Sequence, residues 1–284
     1  MGSLLQSFTR IVVTIFIVYC AFMALLYFSQ DKFLFFPQPI STNTLKEIKM
    51  KHKNSEEINL TTPDNFTIRG WFVKNSLDKK TPLIIYFGGN TDELSGMVDQ
   101  SKNFNGWSIA FINYRGYGLS EGKPGEKEFD SDSLTIYDYF SKRPDVDSQN
   151  IVAFGRSIGT GVAVYLAKNR ALNGVILVSP YDTIISLAKR EFPFVPVELI
   201  LKYRFDSISV SPAIKVPLLI LTAEDDKTVP QEYSQRLMAK WGGPHELVLI
   251  KGKGHDNISS GPLYWQSVNS FLDRMISQKE KNRK

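Results

Sequence analysis

Beyond residue 30, short runs of β-branched and aromatic residues alternate with longer segments whose apolar positions recur at helical spacing, almost to the end of the chain. That rhythm predicts an α/β fold, a mostly parallel central sheet with helices on both faces. Residues 58–62 and 67–73, joined by Pro63-Asp64-Asn65, read as an antiparallel hairpin that opens the sheet. Residues 83–87, 108–114, 151–154, 174–178, 218–222 and 247–250 read as the strands that follow, with helices beginning near Asp92, Glu126, Ile158, Gln231 and Leu263. Segment 181–209 departs from the rhythm, being long, apolar and aromatic around Phe192-Pro193-Phe194-Val195-Pro196. It reads either as a small helical cap over a site or as an ordinary helix pair with a proline-broken link.

The amino-terminal end follows a different pattern. Residues 11–28 read IVVTIFIVYCAFMALLYF without a charge, between Arg10 and the pair Asp31-Lys32. That is the apolar length a spanning helix needs, and Ala21-Phe22-Met23-Ala24 followed by Leu25, Leu26 and Tyr27 makes a poor cleavage site. The expectation is an uncleaved single-pass signal anchor over residues 1–30 and one globular domain over residues 31–284. Arg10 and the free amino terminus favour an amino terminus inside and a domain on the non-cytoplasmic side. Met1-Gly2 fails as a myristoylation signal because Gln6 stands where Ser or Thr is required.

Composition narrows the class. With 284 residues, 43% hydrophobic, the chain can bury one large core, and a net charge of +5 spread along it argues against nucleic-acid binding. Lysines gather at Lys46, Lys49, Lys51 and Lys53 and in the tail from Lys279 to Lys284. They read as a solvated strand face and a frayed terminus, or as contacts for anionic lipid headgroups. The single cysteine, Cys20, permits neither an intrachain disulfide nor a cysteine metal site.

Two segments match Gly-x-Ser-x-Gly: Gly118-Leu119-Ser120-Glu121-Gly122 and Gly155-Arg156-Ser157-Ile158-Gly159. The pattern has chemical meaning only where a strand turns sharply into a helix and exposes the serine oxygen. Ser157 follows Ile151-Val152-Ala153-Phe154 and precedes the helical run from Gly161 to Ala167, whereas Ser120 leads into the loop Glu121-Gly122-Lys123-Pro124-Gly125. Ser157 is therefore the candidate nucleophile and Ser120 a structural turn. A serine hydroxyl needs an imidazole to accept its proton, and the imidazole needs a carboxylate to orient it. Of three histidines, His52 precedes the serine and His245 lies ahead of the last strand, leaving His255 just past residues 247–250, at the carboxyl end where open α/β sheets bind ligands. The acid is expected in Glu224-Asp225-Asp226 after strand 218–222, with Asp226 preferred over Asp225 because it leads into the next helix. Oxyanion donors are expected at the amide of Ile158 and, in Gly88-Gly89-Asn90, at Gly89.

Tyr114-Arg115-Gly116-Tyr117-Gly118-Leu119-Ser120-Glu121-Gly122, Gly155-Arg156-Ser157-Ile158-Gly159, Arg204-Phe205-Asp206-Ser207, Gly254-His255 and Phe35-Phe36-Pro37-Gln38 together make the chain resemble a branch of the α/β-hydrolases. That branch contains the bud-emergence-type proteins and membrane-associated depalmitoylases and is often labelled serine-aminopeptidase-like; the likeness runs from about Phe33 to Leu272. It implies Ser157, Asp226 and His255 as a triad and Gly89 with Ile158 as the oxyanion hole. It also implies hydrolysis of a carboxylic ester or thioester of a small-molecule, acyl or lipid substrate, with no metal or organic cofactor. Peptide hydrolysis, or a silent hydrolase fold used as a membrane-tethered binding module, are the alternatives. Three positions depart from the family pattern: Phe87 for the His of a His-Gly motif, Asn113 for an Asp, and Ala223 for a Gly. Of these only Phe87 is expected to touch the site.

Overall fold

In the computed structural model, which describes residues 2–282, eight strands form one sheet among the described residues, in the order β1-β2-β4-β3-β5-β6-β7-β8. They are β1 Ser55–Thr61, β2 Thr67–Val73, β3 Thr81–Phe87, β4 Ser108–Ile112, β5 Val146–Arg156, β6 Gly174–Val178, β7 Leu218–Ala223 and β8 His245–Ile250. The β1–β2 hairpin is antiparallel and β2 joins β4 antiparallel; every other neighbour is parallel. The central strands are apolar throughout because both faces are covered. Along β3, Leu83, Ile85 and Phe87 enter one core and Ile84 and Tyr86 the other, the period of two that a pleated strand imposes.

The first core lies under helices α3 (Glu126–Phe140), α4 (Gly159–Asn169) and α8 (Gln231–Met238), represented by Phe129, Val162 and Leu237. The second lies under α9 (Pro262–Asn282) and the 3-10 turn Leu94–Asn103, represented by Phe271, Leu272 and Val98. The element expected near Asp92 is this 3-10 turn and not an α-helix. Strand β4 stops at Ile112, two residues before the expected end, and β5 begins at Val146, where its polar first half pairs with Thr81 before a register shift.

One segment contradicts its expectation. Lys46, Lys49 and Lys51 lie on a helix, α2 (Thr42–Lys51), and not on a strand face. Ser41 caps it by accepting a hydrogen bond from the Thr44 amide at 3.1 Å, and Leu45 and Ile48, one turn apart, turn its apolar stripe onto the second core. Lys49 and Lys51 pair with Glu57 and Asp99, and Lys53 follows the helix. The side chains of the tail lysines from Lys279 on lie outside the described residues.

Helix α1 (Gly2–Leu34) is long and apolar enough to cross a membrane, and its side chains from Gly2 to Phe22 are exposed. It does not end at Asp31-Lys32 but runs on into the domain. Segment 181–209 forms three short helices, α5 (Ile184–Glu191), α6 (Val197–Ile200) and α7 (Ser207–Val210), between β6 and β7. Pro193 and Pro196 separate the first two. The buried Gln30 ties α1 to this segment, its Nε2 donating to the Ile200 carbonyl at 2.8 Å and its Oε1 accepting from the Lys202 amide at 2.8 Å. Tyr203 donates to Asp31 at 2.7 Å, and Phe35 packs edge-on against Phe129 and Tyr203.

Candidate active site

Strand β5 runs into α4 through Gly155-Arg156-Ser157-Ile158-Gly159, and Ser157 takes φ 51°, the left-handed region that costs a non-glycine residue on the order of 1–3 kcal/mol. The two motif glycines make that turn possible. A Cβ on Gly155 would lie 2.4 Å from the Gly159 carbonyl oxygen, and one on Gly159 would lie 2.3 Å from the carbonyl oxygen of Phe87 and 2.5 Å from that of Gly88. The turn and the loop after β3 are therefore in direct backbone contact. The Ser157 amide donates to the Val178 carbonyl at 2.9 Å, anchoring the strained residue to β6.

Loops at the carboxyl ends of β7 and β8 deliver the partners. His255 Nε2 lies 3.1 Å from Ser157 Oγ and its Nδ1 lies 2.8 Å from Asp226 Oδ2. With Nδ1–H donated to the carboxylate, Nε2 is left to accept the serine proton. The other carboxylate oxygen, Oδ1, accepts from the amides of Thr228 at 3.0 Å and Val229 at 2.8 Å. Burial pushes the Asp226 carboxyl up, but the bonds from His255 and Val229 and the nearby imidazole outweigh it and hold it below the usual carboxylate range. Asp225, the alternative, is exposed, and its amide bonds the Lys253 carbonyl instead.

The remaining candidates separate clearly. Ser120 is buried, its Oγ accepting from the Arg69 amide at 2.8 Å and donating to the Asn113 carbonyl at 3.1 Å, as a turn residue would. His52 sits 2.6 Å from Asp99, and His245 is exposed at the first position of β8. The Ile158 amide lies at the first turn of α4, beside Ser157. Gly89 departs from expectation: its amide donates to Asp92 Oδ2 at 2.6 Å and is not free to meet an oxyanion, because the acidic side chain three residues on folds back over the loop. Phe87 departs as well. It is the last residue of β3, its side chain is buried in the first core, and the loop beside the turn begins at Gly88.

Sequence reasoning passed over Arg156 and Asp92. Arg156 donates to both oxygens of Asp92, at 3.2 and 3.4 Å, and to the His255 carbonyl at 3.4 Å, so one guanidinium bridges the loop after β3 and the loop that carries the histidine. The only signal in the sequence is a charged residue inside Gly-x-Ser-x-Gly. Among the described residues no group of three or more His, Cys, Asp or Glu is arranged to hold a metal ion.

Residues 138–274 match the family described as serine hydrolase. Protein bem46 of Schizosaccharomyces pombe is 29% identical over 250 residues, covering 84% of this chain and 82% of that one. The membrane protein YNL320W of Saccharomyces cerevisiae is 28% identical over 226 residues, covering 76% and 79%. An esterase of Pyrococcus furiosus superposes with a TM-score of 0.64 at 19% identity over 86% of this chain and 98% of its own, a likeness of fold. With its sheet order, its strand-turn-serine-helix and these matches taken together, the chain has the α/β-hydrolase fold and is similar to the branch of the bud-emergence-type proteins.

Proposed function

We propose that the protein is a membrane-anchored serine esterase or thioesterase in which Ser157, His255 and Asp226 act as the triad. The observation that carries this reading is the continuous chain from Ser157 Oγ to His255 Nε2 at 3.1 Å and from His255 Nδ1 to Asp226 Oδ2 at 2.8 Å. Ser157 Oγ attacks the acyl carbon as its proton passes to His255 Nε2. The bond to the leaving oxygen or sulfur then breaks as that proton is returned to the departing alcohol or thiol. Water, giving its proton to the same nitrogen, attacks the acyl-serine, and the proton goes back to Ser157 as the acid leaves. Asp226, kept anionic, stabilises the imidazolium at each step. The Ile158 amide serves as one oxyanion donor, and the loop Gly88-Gly89-Asn90, whose Gly89 amide is engaged by Asp92 in this structure, supplies the second.

Residues 11–28 form the span, with the amino terminus in the cytosol and residues 31–284 on the far side of the membrane. The apolar length of α1 and the relative described as a membrane protein support the span, and Arg10 at its amino-terminal end is the ground for the orientation.

A panel of p-nitrophenyl esters, acyl thioesters and aminoacyl anilides, assayed with the full-length protein, tests the activity. Turnover of the first two classes, lost in Ser157→Ala, is the expected result. Turnover of the anilides alone would assign a peptidase, and silence across the panel would overturn the proposal.

A further inference from the structure

Helix α1 and an uncharged loop of segment 181–209 lie side by side. The Tyr19 hydroxyl donates to the Phe194 carbonyl at 3.3 Å, so the tip of segment 181–209 reaches the level of Tyr19, well inside the uncharged run of α1. Nine residues separate Tyr19 from Phe28, about 14 Å along a helix. Phe194 is 90% exposed and Leu199 84%, which would be costly in water but not in hydrocarbon. The tip, Phe192-Pro193-Phe194-Val195-Pro196-Val197, carries no charge. The nearby cation Lys202 lies lower, with its ammonium 4.6 Å from the Tyr27 ring, at the end of the run where aromatic and basic side chains mark a membrane surface.

Between helix and tip is a cavity of about 480 Å³, within the size range of ligand pockets. Leu26 and Phe33 of α1 form one wall, Ile184 and Leu187 of α5 another, and Val195 and Ile200 the tip side. Lys227 and Thr228, the two residues after Asp226, also line it, so the cavity reaches the loop that holds the candidate acid. One wall is the membrane helix itself.

We propose that the tip around Phe194 is seated in the hydrocarbon of the adjacent leaflet and that the cavity between α1 and α5 binds the acyl chain of a membrane-resident ester, taken directly from that leaflet. The site rests on the membrane reading of residues 11–28, and its consequence for substrate choice rests on the proposed hydrolysis at Ser157. An acyl chain fits because the walls from α1, α5 and the tip are mostly aliphatic or aromatic and continuous with the exposed apolar surface of α1, with Gln30, Glu191, Lys227 and Thr228 as the polar exceptions. Each buried methylene contributes about fourfold in affinity, so an ester with a long chain is strongly preferred over a short one.

Two measurements on the full-length protein in phosphatidylcholine nanodiscs test it. Cys20 is the single cysteine, so a Cys20→Ser background accepts a bimane probe at Phe194→Cys or, as a reference, at Leu77→Cys in the exposed loop between β2 and β3. Lipids brominated in their acyl chains are expected to quench the Phe194 probe several-fold more than the Leu77 probe; equal quenching places the tip in water and overturns the proposal. In a Ser157→Ala background, a phosphatidylcholine with a diazirine in its acyl chain is expected to crosslink within residues 184–201. Leu187→Trp and the milder Ala188→Leu, each checked for a native thermal transition, displace about two methylenes and are expected to lower that crosslink about tenfold. An unchanged crosslink in both variants overturns the cavity as the site. Crosslinking needs no turnover, so an inactive protein that still crosslinks removes the proposed hydrolysis and keeps the site, whereas an active one that does not crosslink there does the reverse.

Discussion

At the scale of single residues, the chemistry depends on side chains whose surroundings leave them few alternatives. Asp226 accepts from His255 and from two amides, while Asp225 faces solvent. Asp226→Asn is expected to lower kcat about 10⁴-fold with little change in KM, because the amide holds the imidazole in the wrong tautomer, while Asp225→Asn is expected to stay within about twofold. Steady-state kinetics of the two variants on one ester checks both. Arg156→Met is expected to lower kcat by about tenfold without changing the fold, since it loosens the loops that place Gly89 and His255 but removes no reacting group. A second carboxyl gives a pH signature. Burial, together with the carboxylates of Glu126 and Glu128, pushes Asp130 up to about 8. The stability it contributes is present below the ordinary carboxylate pKa and is lost as pH rises towards the raised one. Asp130→Asn should therefore raise the melting temperature more at pH 8 than at pH 5; an equal gain at both would show that the group titrates normally. Ser157, His255 and Asp226 were legible because each stands at the carboxyl end of a strand that the apolar pattern marks. The bond from Gly89 to Asp92 was not legible, since a side chain folding back on its own loop leaves no periodicity.

At the scale of elements, periodicity worked where burial was two-sided and failed where it was partial. Strands β3, β6 and β7 are almost wholly buried and read as unbroken apolar runs, whereas the first residues of β5, Val146-Asp147-Ser148-Gln149-Asn150, look like a loop and are held by backbone pairing near Thr81. Helix α2 was hidden by its lysines, because only Leu45 and Ile48 face the core. The junction of α1 with segment 181–209 was hidden too, since Asp31 and Lys32 look like the end of a helix that in fact continues to Leu34. Gln30 holds that junction. Replacing it with Leu leaves the Ile200 carbonyl and the Lys202 amide without their partner, at a local cost of about 1–3 kcal/mol. Hydrogen exchange at residues 197–203 should accelerate by roughly ten- to a hundredfold while exchange in β5 and β6 stays unchanged; uniform acceleration would mean that the substitution acts on the whole fold.

At the scale of the whole molecule, the long apolar helix α1 and the hydrolase fold are joined beside the candidate site. The Phe36 amide, two residues past α1, donates to the Asn90 carbonyl at 3.1 Å and lies 3.1 Å from the Tyr117 hydroxyl, which itself donates to the Asn90 carbonyl at 2.7 Å. The end of α1 thus pins the loop proposed to supply an oxyanion donor, a link that neither the apolar pattern of α1 nor the serine motif announces by itself. The account as a whole stands on Ser157 being activated by His255. The direct measurement is the rate of fluorophosphonate labelling of the full-length protein, with the modified peptide identified by mass spectrometry, in the native chain and in His255→Ala. The predicted result is modification at Ser157 that slows about 10³-fold in the variant, the loss expected when a general base is removed. Labelling at another residue, or equal rates in the two proteins, would contradict it.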